Sequence, residues 1–112
     1  MRALFNGVEG GTLTQRKGTD GVYRLVLTTD AGGVQALSTG TVDVLVYDTA
    51  DRRNAALKTI SATVTTAANG FCTLTISAAT LNIGPGIYYA FARFTLSGVI
   101  TFGEKYAILV VE

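Results

Sequence analysis

The chain contains no histidine, no tryptophan, one cysteine, one proline and few charges. Each shortage narrows the reading. Without histidine, the commonest general base and metal ligand near neutral pH is missing. No Ser-His-Asp or Cys-His arrangement can form within the chain, so a small enzyme is the least expected function. Without tryptophan, a sugar-stacking platform lacks its largest ring. A single cysteine, Cys72, excludes an internal disulfide. It lies in an alternating run and is expected to point inward as a small apolar residue, not to act as a nucleophile. Charged residues make up 15% of the chain, against about 25% in ordinary soluble domains. The surface must therefore be covered by hydroxyls, by glycine backbone or by other proteins.

Long apolar runs are missing as well. No segment approaches the roughly 18 residues of a membrane span, and the apolar stretch near the N-terminus is too short for a signal sequence. The expectations are no membrane partner and synthesis in the cytoplasm. A net charge of +1 leaves no electrostatic footprint for nucleic acid. The basic pairs Arg16-Lys17 and Arg52-Arg53 read as solvated turns. The carboxylates Glu9, Asp20, Asp30, Asp43, Asp48, Asp51, Glu104 and Glu112 are scattered. Asp48 and Asp51 share a loop, but two carboxylates are few for calcium. Gly84-Pro85-Gly86 lacks the further glycine and the helix of a dinucleotide fingerprint. No catalytic residue, cofactor or metal ligand is expected.

What the chain does have is threonine, seventeen of them, mostly in runs that alternate with apolar residues. That composition favours pleated sheet. Val42, Val44 and Val46 share one face. Ile60, Ala62 and Val64 alternate with Ser61, Thr63 and Thr65. Cys72, Leu74 and Ile76 alternate with Thr73, Thr75 and Ser77. Such strands bury one face and expose the other. Short runs separated by turn signals, among them Asp30-Ala31-Gly32-Gly33 and Asn69-Gly70, have the spacing of a sandwich. The expected fold is an all-β, immunoglobulin-like, antiparallel Greek-key sandwich of about seven strands. Its 112 residues suffice for one domain without disulfides. Residues 1–10 are expected as an N-terminal arm and residues 11–112 as a single sandwich domain.

The stretch from Leu81 to Tyr88 carries the only proline between two glycines and then enters an aromatic strand. In a Greek-key sandwich the chain crosses between sheets at such a point. A leucine plugs the core, and a tyrosine sends its hydroxyl back to the backbone. Leu81, Gly86 and Tyr88 fit this structural corner. If Tyr88 faces the core, so do Ala90, Ala92 and Phe94. Ile87, Tyr89 and Phe91 then point outward, beside Leu45 and Tyr47 of the third main run. These five residues are expected to form an outward apolar patch, which monomers seldom expose. It reads as a subunit interface. The competing reading is that Met1 to Asn6 folds back over it.

The order of these motifs resembles the small immunoglobulin-like domains of tailed-bacteriophage virion proteins. The likeness covers residues 21 to 111 and is carried by VYRLVLTTDAGG, LSTGTVDVLVYD, ANGFCTLTIS, TLNIGPGIYYAFARF and SGVITFGEKYAILVVE. It implies a virion structural protein. A stand-alone sandwich points to a capsid decoration (cement) protein, commonly trimeric, held to the major capsid protein. Tail, neck or baseplate proteins are the alternative partners. A module that binds host surfaces through the loop from Asp48 to Asn54 is a further alternative. The resemblance implies no catalytic residue.

Overall fold

The alternating runs of the sequence pair into two packed sheets. A computed structural model describes residues 1–5, 11–16, 18–51, 55–77 and 83–111. The described residues form nine strands: β1 (Arg2–Phe5), β2 (Thr12–Arg16), β3 (Gly21–Thr28), β4 (Thr41–Tyr47), β5 (Lys58–Ser61), β6 (Thr63–Thr66), β7 (Phe71–Ile76), β8 (Gly86–Leu96) and β9 (Val99–Val111). A short 3-10 turn, Ala67–Asn69, connects β6 to β7. One sheet has the order β1-β3-β7-β6 and the other β2-β9-β8-β4-β5. The protein is an all-β sandwich.

Two features differ from the expected architecture. The first is strand direction. β2 runs parallel to β9, with Leu13 opposite Ile108 and Gln15 opposite Val110, so the five-stranded sheet is mixed. The cause is the path of the N-terminus. β1 is antiparallel to β3, and the chain then leaves for the other sheet without reversing. The second is strand number. The run from Leu57 to Thr66 splits at Ala62, where the Ala62 amide donates to the Val42 carbonyl at 2.9 Å. β5 stays in one sheet and β6 joins the other.

Of the expected N-terminal arm, residues 1–5 are described and residues 6–10 lie outside the described residues. Arg2–Phe5 is a strand of the four-stranded sheet. Ala3 and Phe5 alternate inward and are buried, Phe5 completely. The Phe5 ring lies 4.5 Å from the Tyr106 ring, centroid to centroid. These residues therefore close the space between the sheets instead of covering the aromatic outer face.

Period-two patterning places the main core as the sequence predicts. Val42, Val44 and Val46, then Cys72, Leu74 and Ile76, then Ala90, Ala92 and Phe94 all belong to it, with Ile60, Leu25, Leu27, Leu37, Ile108 and Val110. Each large aliphatic side chain buried there contributes about 1.5–3 kcal/mol of transfer free energy. One polar side chain, Gln15, is buried among them. Its amide donates to the Thr19 carbonyl at 2.7 Å, and its oxygen accepts from the Tyr23 hydroxyl at 2.5 Å. That pair ties β2 of one sheet to β3 of the other and satisfies both polar groups.

Cys72 is buried in the core, and burial pushes its thiol up to about 11. Ionisation is therefore easier in the unfolded chain. Stability is complete below the unfolded thiol's pKa and declines as pH rises from about 9 toward 11. The native thiol will stay silent to a thiol reagent at neutral pH and react only after denaturation, as titration with and without urea will show.

Candidate functional site: the outer face of the five-stranded sheet

β4 and β8 are central in their sheet, and both of their faces are apolar. Their register sets Leu45 opposite Phe91 and Tyr47 opposite Tyr89. Strand alternation sends these four side chains to the outer face, away from the main core. Four of the five residues expected on the patch are thus brought together. They do not form an open surface. Leu45, Tyr47 and Phe91 are only 6%, 8% and 6% exposed and make a second, smaller core. Tyr47 and Phe91 meet edge to face, with centroids 5.7 Å apart, the arrangement that aromatic quadrupoles favour. Tyr89 is half-buried at the margin. Ile87 stands apart and is 59% exposed.

The cover comes from this chain's own residues, and two local events supply it. β8 advances two residues from Phe91 to Arg93 while β9 spans three from Lys105 back to Phe102. This β-bulge inverts the alternation of β9 beyond it. Tyr106, Ile108 and Val110 face the main core, whereas Phe102 turns outward and packs on the second one. Gly103 suits the bulge because its inner side lies against β1. A Cβ there would sit 3.1 Å from that of Ala3. The second event is the return of the chain after β4. The Leu57 amide donates to the Val46 carbonyl at 2.7 Å, and Ala56 packs on the cluster.

Charges frame this face. The Arg93 guanidinium donates to the Asp43 carboxylate at 2.8 Å, both side chains being partly buried. The Lys105 ammonium lies 5.9 Å from the centre of the Tyr89 ring, within cation–π range. Sequence reasoning missed Phe102, Ala56 and this ion pair. A glycine at position 103 permits a bend in the strand, but nothing local to it says which way the strand turns.

The corner residues are positioned as follows. The Tyr88 hydroxyl donates to the Gly84 carbonyl at 2.7 Å, and its ring packs against the main core. Gly86 has φ 151°, a conformation open to glycine and costly for other residues. Leu81 lies outside the described residues. Replacing Tyr88 by phenylalanine removes one hydrogen bond and keeps the ring. A loss of about 0.5–1.5 kcal/mol in urea unfolding is expected.

Among the described residues, no group of three His, Cys, Asp or Glu side chains is placed to hold a metal ion, and no helix is long and apolar enough to cross a membrane. The outer face of the four-stranded sheet carries a shallow open groove between Val22, Arg24, Thr65, Phe71 and Thr73. No protein-family model matches this chain, and no curated protein matches it.

Proposed function

We propose that this chain is an immunoglobulin-like structural module that works through protein–protein contact, as a decoration protein on a bacteriophage capsid. The strand order supports the immunoglobulin-like part. β1-β3-β7-β6 corresponds to strands A-B-E-D of that fold, and β9-β8-β4 to G-F-C. The Tyr88 hydroxyl bond four residues back to Gly84 fits the tyrosine corner at the start of strand F. The virion part rests on the resemblance carried by residues 21 to 111.

One observation carries the contact reading. The outer face of the five-stranded sheet is apolar through its centre, and it leaves Ile87 and Ile100, 59% and 55% exposed, open toward its two ends. A two-sheet sandwich needs only one apolar face per sheet. A second apolar face, partly closed and partly open, suits a module seated on a larger protein surface. Burial of Ile87 and the margin of Tyr89 against the major capsid protein would supply apolar contact, with the Arg93–Asp43 pair and Lys105 at a polar rim. A homo-oligomer would place several such faces on neighbouring capsid subunits. On this reading the protein is made in the host cytoplasm and resides in the virion, without catalysis or a cofactor.

The test is co-purification with intact particles at fixed stoichiometry. The wild-type chain is expected in the head fraction, and Ile87→Asp is expected to reduce its occupancy while leaving its melting temperature unchanged. Recovery with isolated tails instead would move the assignment to a tail, neck or baseplate component. Absence from every particle fraction would remove the virion reading.

A further inference from the structure

We infer that the loop end of the sandwich, where the β3–β4 loop, the β6–β7 turn and the β8–β9 hairpin meet, is a contact surface for a second copy of this chain, joined end to end about a two-fold axis. The first ground is charge. Residues 31–42, 59–77 and 94–103 contain no Asp, Glu, Lys or Arg, and these stretches supply the β6–β7 turn, the β8–β9 hairpin and all of the β3–β4 loop except Thr29 and Asp30. The charges nearest to it gather at one corner. There the Met1 amine donates to the Asp30 carboxylate at 2.5 Å, and the Arg2 guanidinium lies beside Gly32. At the opposite end, two of the connections carry charge among their described residues, Asp20 in one and Asp48 and Asp51 in the other. Depletion of charge is the compositional mark of interface centres.

The second ground is exposed apolar surface on a rigid frame. Val34 and Val99 are 59% and 67% exposed. The loop that carries Val34 is pinned by Leu37, which is fully buried. The Leu37 amide donates to the Ala67 carbonyl at 2.9 Å, and the Gly40 amide to the Leu37 carbonyl at 2.9 Å. Thr28 bridges to Val34. Val99 follows a two-residue turn, Ser97-Gly98, with φ of 51° and 81°. Positive φ at both positions makes the tight hairpin that matches strand twist. The hairpin and the β3–β4 loop touch, since Thr41 pairs with Thr95 and Gly40 lies directly against Phe94 and Thr95. A surface already ordered loses little entropy on binding.

The occupant follows from the missing charge. A charged partner surface would leave its ions desolvated and unpaired against this end. A second copy brings the same uncharged surface, and a two-fold axis sets it against itself without like-charge repulsion. The contact is small. Strands as long as β8 and β9 fit only along the 37 Å axis of the molecule, which leaves an end of 27 × 23 Å. That is less than the ~800 Å² per partner of a standard interface. The association is therefore weak, with a dissociation constant between about 10 μM and about 1 mM.

Sedimentation velocity on the full chain over about 10 μM to 1 mM tests this, with small-angle scattering at the top concentration. The expected result is a monomer–dimer equilibrium that gives an elongated dimer and does not weaken with added salt. Val99→Asp and, separately, Val34→Asp place like charges face to face and are expected to raise the dissociation constant at least about tenfold. Both side chains are more than half exposed, and a melting curve will show that the fold is kept. Ile87→Asp, on the sheet face, is expected to leave the dimer intact. A chain that stays monomeric at about 1 mM, a compact side-by-side assembly, or a dimer broken by Ile87→Asp and not by Val99→Asp would overturn the inference. Particle binding reads the sheet face and self-association reads the loop end, so failure of one is distinguishable from failure of the other.

Discussion

Phe5→Ala will lower the unfolding free energy by about 3–5 kcal/mol, the range for removing a fully buried aromatic ring. Phe5 has no exposed surface and packs on Tyr106 between the sheets. Its removal takes away the transfer free energy of the ring and leaves a cavity lined by β-strands that cannot easily collapse. For a domain stable by roughly 5–15 kcal/mol, that is a large share. Urea unfolding followed by circular dichroism will measure it. Deletion of residues 1–6 goes further. It strips β1 from β3, whose Leu25 and Leu27 are fully buried, and exposes a new strand edge. The shortened chain is expected to aggregate. A detachable arm would behave differently. Phe5→Ala would then cost less than about 0.5 kcal/mol, and the truncated chain would stay folded and soluble.

Gly70→Ala is the second large effect, at about 3 kcal/mol or more. Gly70 ends the 3-10 turn at φ 73°, where an L side chain costs roughly 1–2 kcal/mol. Space adds to this. A Cβ would lie 2.4 Å from the Leu27 carbonyl oxygen and 2.8 Å from that of Gln35. Both are backbone atoms, and neither can swing aside as a side chain tip would. The Gly70 carbonyl also accepts the Leu27 amide at 2.9 Å. The end of β3, the β3–β4 loop and the turn must therefore move together. A drop of about 10–20 °C in melting temperature is expected. Gly98→Ala separates the two causes. Gly98 has φ 81° and nothing within 4 Å of its added Cβ, so only the dihedral cost of about 1–2 kcal/mol applies. Equal losses at the two sites would show that crowding at Gly70 contributes nothing.

The same contrast between local conformation and distant neighbours explains how much of this protein could be read in advance. Period-two alternation is a property of a few adjacent residues. Val42, Val44 and Val46 had to share a face if they were extended at all, as did Cys72, Leu74 and Ile76. Once Tyr88 faced inward, Ala90, Ala92 and Phe94 had to follow. These residues are in the main core. β1 was invisible for the opposite reason. Arg2–Phe5 is only four residues long, too short for a pattern to stand out, and its burial depends on meeting β3 and β9. The parallel pairing of β2 with β9 likewise follows from where the chain goes after Phe5. No property of Thr12 to Arg16 announces it.

The outer face shows this limit most clearly. Alternation correctly sends Leu45, Tyr47, Tyr89 and Phe91 to the side opposite the main core, and cross-strand register brings them together. It cannot say what lies above them. One extra residue in β9 turns Phe102 onto the cluster, and the chain beyond β4 lowers Ala56 beside it. Without that bulge Phe102 would face the main core, and the cluster would lose that part of its cover.

Composition and alternation were enough to make this chain a two-layer β protein, with most of its described strand threonines outward and its thiol inward, because each depends on residue type or on neighbours one or two places away. The parallel edge, the docking of the first strand and the closing of the aromatic cluster came from residues far apart in the chain. Such contacts exist only when both sheets are in place, and no stretch of sequence contains both of the surfaces that meet.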